Sequence, residues 1–154
     1  MAAVQHQHSL ARQQALQLLY QYEVTGSALD RLATTECLMV EVGMPSSFTW
    51  RLLKGACAHL DEVDALIGQA AKNWSLQRLP LVDLCVLRLA VYEMKYVREV
   101  PISVTINEAV ELARVFGGDD DSPRFINGVL GNIDKTLRGK KPQPGEALQP
   151  GEEH

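Results

Sequence analysis

Apolar residues recur at spacings of three and four along almost the whole chain and few stretches alternate as strands do, so the pattern predicts an all-α protein. A first helix fits roughly 9–24, with Leu10, Leu16, Leu19 and Tyr20 among its apolar positions and Thr25-Gly26 as its stop. A second fits about 28–42, ahead of the turn marked by Gly43 and Pro45. A third, 46–73, starts at a serine cap and places Leu52, Leu53, Ala56, Leu60, Val63 and Ile67 on one side. After "NWSLQRLP", the segment 81–97 is apolar nearly all round, the pattern of a central helix buried by its neighbours. "REVP" breaks it, and "TINE" at 105–108 has Thr and Glu at capping-box spacing ahead of a helix that runs to about Phe116 and stops at Gly117-Gly118.

The last helix, 123–138, opens unusually, on "DDDSPRFINGVL". Ser122 is a good cap residue, Pro123 suits a first helical position that needs no amide donor, and the acids at 119–121 lie near the positive end of the dipole. Ile126, Val129, Leu130, Ile133 and Leu137 form a core stripe, whereas Arg124, Gly128, Gly131, Lys135 and Arg138 fall on the opposite side. Two glycines there cost about 1 kcal/mol each relative to alanine, which points to a close approach of something to that backbone. Phe125 flanks the stripe beside Arg124. It reads either as a ring at the edge of the core or as a platform for an unpaired base. The ends divide from the rest: 1–8 as a flexible N-terminus, 9–138 as the helical domain, and 139–154, rich in Pro, Gly and Glu, as a disordered tail.

Charge and chemistry narrow the function. With 154 residues, 46% of them hydrophobic, the chain has enough apolar material for one sizeable core, and a net charge of −4 argues against a surface coated in basic residues, so any nucleic-acid site is local. Cys37, Cys57 and Cys85 are odd in number and widely spaced in apolar neighbourhoods, which fits reduced core thiols and a cytoplasmic home. No apolar run is long enough to span a bilayer. There is no nucleophile elbow, phosphate loop or metalloprotease motif, so no catalytic residues, cofactor or metal are expected. Arg88, inside the apolar helix, reads as a buried cation paired with Glu93 or Glu108, with a functional cation as the alternative.

"ARQQALQLLYQYE", "WSLQRLPLVDLCVLRLAVYEM" and "VPISVTINEAVELARVFGGDDDSPRFINGVLGNI" together resemble the bacterial transcription antitermination factors of the NusB family, over about 9–138. The resemblance implies two packed three-helix-type bundles forming one compact domain, no enzymatic activity, and binding of boxA RNA together with NusE, the small-subunit ribosomal protein. It further implies membership of the RNA polymerase antitermination complex, notably on ribosomal RNA operons; whether the chain is a monomer or a homodimer is left open by the sequence. Carried over by position, the RNA-binding residues would be Arg12, Tyr20, Asp121, Arg124 and Phe125, with Asp83 at an acidic position near the RNA and NusE surfaces. One departure stands out. Where such proteins carry several arginines before the first helix, this chain has "HQHSLAR", with His6, His8 and a single Arg12. Phosphate neutralisation dominates nucleic-acid affinity, so this thin basic segment favours an alternative in which the protein mainly holds NusE. A third alternative, the RNA-binding domain that precedes some ribosomal RNA cytosine methyltransferases, lacks here the Gly-rich cofactor loop its enzyme would need.

Overall fold

The computed structural model describes residues 2–26, 45–71 and 78–140. Among these are six helices and no strand: α1 (Ala2–Thr25), α2 (Ser47–Ala58), α3 (Leu60–Ala71), α4 (Leu81–Tyr96), α5 (Ile102–Phe116) and α6 (Ser122–Lys140). The expected helix at 28–42, Cys37 and the tail from 141 onward lie outside the described residues.

The apolar-all-round segment is the pillar of the fold, since α4 packs against each of the other five helices. Cys85, Leu87 and Val91 have no exposed surface, while Val86 is 1% exposed. α4, α5 and α6 pack pairwise as one three-helix group, and α1 and α2 close on the other side of α4. The stripe read on α6 is buried as expected, with Ile126 and Leu130 fully inaccessible. One continuous core runs through both halves, so the all-α, two-bundle expectation holds as a single compact domain.

Three boundaries differ from the sequence reading. α1 starts at Ala2, so His6 and His8 lie within a helix. The single helix expected at 46–73 is divided at His59, whose backbone (φ −121°, ψ 27°) leaves the helical region and whose ring lies 2.9 Å from the Gly55 carbonyl. α5 starts at Ile102 after Pro101, so "TINE" is not a cap. Thr105 is instead buried and donates to Glu93 at 2.9 Å. The serine cap of α2 is real: Ser46 Oγ accepts the Thr49 N–H at 3.3 Å, and Thr49 Oγ1 accepts the Ser46 N–H at 3.1 Å.

Candidate functional site

The site is built where α4 and α6 begin. Pro80 precedes α4, and its ring lies against Gly118 so closely that a Cβ on that glycine would stand 2.3 Å from the Pro80 Cβ. Asp83, the third residue of α4, is 2% exposed and uses both carboxylate oxygens inward. Its Oδ1 accepts the Gly118 N–H at 2.9 Å and its Oδ2 accepts the Ser122 hydroxyl at 2.6 Å. Ser122 Oγ in turn accepts the Asp119 N–H at 3.1 Å, and the Asp119 carboxylate accepts the Asp121 N–H at 2.7 Å. A carboxylate near the positive end of α4 thus fixes both the glycine turn and the first residue of α6.

The cap of α6 falls one residue earlier than expected. The Asp121 carbonyl accepts the Phe125 N–H at 2.9 Å, which makes Asp121 the capping residue, while the Ser122 side chain turns inward to Asp83. Outside, Asp121 and Arg124 are exposed and Phe125 is half-buried, packed against the edge of the core. Gly128 is exposed and Gly131 half-buried, and a Cβ at either would meet nothing within 4 Å, so nothing among the described residues requires glycine there.

Tyr20, 42% exposed on α1, lines a cleft of about 460 Å³ with Leu16, Val82 and Phe116, rimmed by the glutamines at 13, 17 and 21. Val82 precedes Asp83 and Phe116 precedes Gly117, so this apolar cleft and the Asp83 turn share their backbone. Asp83, Asp121, Arg124 and Phe125 therefore gather around the starts of α4 and α6, and Tyr20 reaches the start of α4 through Val82.

Arg12 does not join them on the surface. Its guanidinium makes a two-pronged contact with Glu93 (Nε to Oε1 3.0 Å, Nη2 to Oε2 2.5 Å) and approaches Glu108 to 3.5 Å, with the residue 5% exposed. Ser9 donates to partly exposed Glu108 at 2.7 Å, which extends the buried Arg12–Glu93 pair into a network joining α1, α4 and α5. The two acids expected to serve Arg88 are thus occupied by Arg12. Arg88 is paired with Asp64 through two bonds of 2.9 Å and lies 3.3 Å from Glu23. Arg12, expected to face RNA, is thus buried against carboxylates, an arrangement that serves the packing of α1 on α4.

His8 is also drawn inward. Its ring stacks on Phe48 at 3.9 Å and 14°, while the Arg12 guanidinium lies 5.6 Å from the same Phe48 ring. Burial, and then the nearby Arg12 charge, lower its pKa below the ordinary 6.5. Of the cysteines expected as core thiols, Cys85 is buried and Cys57 half-buried, both free, and burial pushes the Cys85 pKa up to about 12. Among the described residues no cluster of His, Cys, Asp or Glu could hold a metal ion, and no helix is long and apolar enough to cross a membrane.

Residues 9–135 match the model of the NusB family. The chain is 46% identical over 127 residues to the transcription antitermination protein NusB of Bacillus mycoides, covering 82% of this chain and 96% of the relative. Among solved structures it is similar to T. maritima NusB, with a TM-score of 0.71 and 32% identity over 83% of this chain and 90% of that one. It is also similar to a chain of a crystal structure of antitermination factors NusB and NusE in complex with dsRNA, with a TM-score of 0.74 and 25% identity over 85% of this chain and 98% of that one.

Proposed function

Because this chain belongs to the NusB family, we propose that it is a non-enzymatic transcription antitermination factor that binds boxA RNA together with NusE and joins the RNA polymerase antitermination complex in the cytoplasm, notably on ribosomal RNA operons. The observation that carries the RNA contact is the buried Asp83 carboxylate, which holds the opening of α6 so that Arg124 and one edge of Phe125 face outward. An exposed cation beside a half-exposed ring suits an unpaired base and its phosphate, the ring stacking and the guanidinium neutralising. The Tyr20 cleft next to it, apolar at its base and edged by glutamines, suits a protein partner, an aromatic with a polar tip being a common anchor of such interfaces. In this reading Arg12 and Asp83 position the surface without touching RNA.

A second reading, an adaptor that mainly holds NusE, draws support from Arg12: with its only arginine buried, the segment before and within the first turns of α1 supplies little charge for phosphate. Titration of boxA and scrambled RNA, with and without NusE, separates the two. Preference for boxA by the isolated protein supports the first; preference seen only with NusE supports the second; equal binding of both RNAs in every condition removes the boxA role.

A further inference from the structure

The far end of α4 carries a second surface that the site above does not use. Tyr92 and Tyr96 stack at 5.1 Å and 26°, and the His59 ring stands 4.5 Å from that of Tyr96. Gly55 makes this possible: a Cβ there would lie 2.0 Å from the Tyr92 ring, so only a bare α2 backbone lets the tyrosine lie across the helix. Around the rings stand cations. Lys54 lies 5.1 Å from the ring centre of half-buried Trp50, and Lys95 lies 5.7 Å from the Tyr96 ring centre. Arg51 pairs with Glu99, which holds the turn carrying exposed Arg98 against α2. The acids of this face are Asp61, Glu62 and Glu99; Glu62 is occupied by Lys95 and by the Tyr96 hydroxyl at 2.6 Å, and Glu99 by Arg51. Lys54 and Arg98 form no ion pair with a described residue.

We propose that this face, made of Trp50, Lys54, His59, Tyr92, Tyr96 and Arg98, is a second contact for single-stranded RNA, engaged by nucleotides flanking the element held at the start of α6. Rings give sequence-tolerant stacking and interleaved cations neutralise the backbone, the combination by which single strands are bound without base readout. The inference rests on the RNA-binding reading above. Asp83 and Tyr96 are separated by about 20 Å along α4, at 1.5 Å per residue. A strand at roughly 3.4 Å per nucleotide needs about six nucleotides to bridge them.

The test measures affinity for a boxA RNA alone and for the same RNA lengthened by about ten unstructured nucleotides on either side, enough to bridge and then occupy a stacking site. Lengthening on one side is expected to tighten binding at least about fivefold, the contribution of a single stacked base. Tyr96→Leu should remove that gain, as should Lys54→Gln combined with Arg98→Gln, two exposed positions whose change leaves the core untouched. The short RNA should bind as before. Absence of any gain, a gain that survives both variants, or equal weakening of short and long RNAs overturns the proposal. Equal binding of boxA and scrambled short RNA overturns the preceding reading instead, and leaves the length comparison still able to decide this one.

Discussion

The Ser122 hydroxyl donates to the Asp83 carboxylate at 2.6 Å, tying the first turn of α6 to the first turn of α4 across 39 residues of chain. Ser122 is 2% exposed, so no water replaces the bond if it is broken. Ser122→Ala should cost about 1–3 kcal/mol, the range for leaving a buried polar partner short of a bond. The loss should appear as a lower Tm and a weaker RNA affinity. Asp83→Asn keeps the shape but substitutes an amide group that donates where the carboxylate accepts from both Gly118 and Ser122, and it should be at least as damaging. An Asp83→Asn protein that melts with the wild type would show that the turn holds itself.

Gly118 makes that arrangement possible. A Cβ there would stand 2.3 Å from Pro80 Cβ, a collision with a rigid ring. Gly118→Ala should therefore cost about 1–3 kcal/mol by overpacking, whereas Gly128→Ala, in open space on α6, should raise stability by up to about 1 kcal/mol through helix propensity. Thermal melts of the pair compare the two directly. If Gly128→Ala weakens RNA binding despite raising the Tm, the close approach read from the sequence is to RNA.

Arg12 offers a sharp contrast between a buried pair and a phosphate contact. Arg12→Met strips Glu93 of its main partner and should cost about 3–5 kcal/mol, while Arg12→Met with Glu93→Leu should recover much of the loss. The salt dependence of RNA binding by the folded double variant should match that of the wild type. A salt slope shallower by about 0.7 would instead mark Arg12 as a phosphate ligand.

Phe125 is half-buried, so its loss divides between folding and binding. Phe125→Ala should lower RNA affinity by about 1–3 kcal/mol and cost less stability than the roughly 3–5 kcal/mol of a fully buried aromatic. Unchanged affinity in a protein that still melts cooperatively would assign the ring to the core alone.

The helices were legible because their information is local. The all-apolar segment at 81–97 became the central pillar, and the α6 stripe predicted its buried side residue for residue. Partners were less legible, because nothing in a periodic pattern says which of several buried charges will meet. Glu93 lies on the same helix as Arg88 and Glu108 on the next, yet Glu93 is claimed by Arg12 from 81 residues away. Likewise "TINE" has the spacing of a cap, but Pro101 starts α5 earlier and frees Thr105 to serve Glu93. Of the candidate site, the outward residues Tyr20, Asp121 and Arg124 came from the resemblance and lie at the surface. The cleft around Tyr20 had no sequence signal, since Leu16, Val82 and Phe116 meet only through the packing of three helices.

His8 shows how placement reverses an expectation. Two histidines in the first turns of α1 would, if free in solution with ordinary pKa values near 6.5, add positive charge on mild acidification and tighten RNA binding. His8 instead stacks on Phe48, facing Arg12, Arg51, Glu93 and Glu99, and burial together with Arg12 outweighs the two acids and depresses its pKa. A base whose folded pKa lies below its unfolded value is held neutral by folding. Below pH 6.5 the unfolded chain therefore binds the proton first, and stability falls as the pH drops from there to the depressed folded value, below which the loss levels off. The wild-type Tm should decline between pH 7 and pH 5 by more than that of His8→Gln, which has nothing to protonate at that position. The same burial limits the charge His8 can offer RNA, so His8→Gln should alter the pH dependence of RNA affinity less than that of stability. Parallel Tm-against-pH curves for the two proteins would mean that the ring leaves Phe48 in solution and titrates freely.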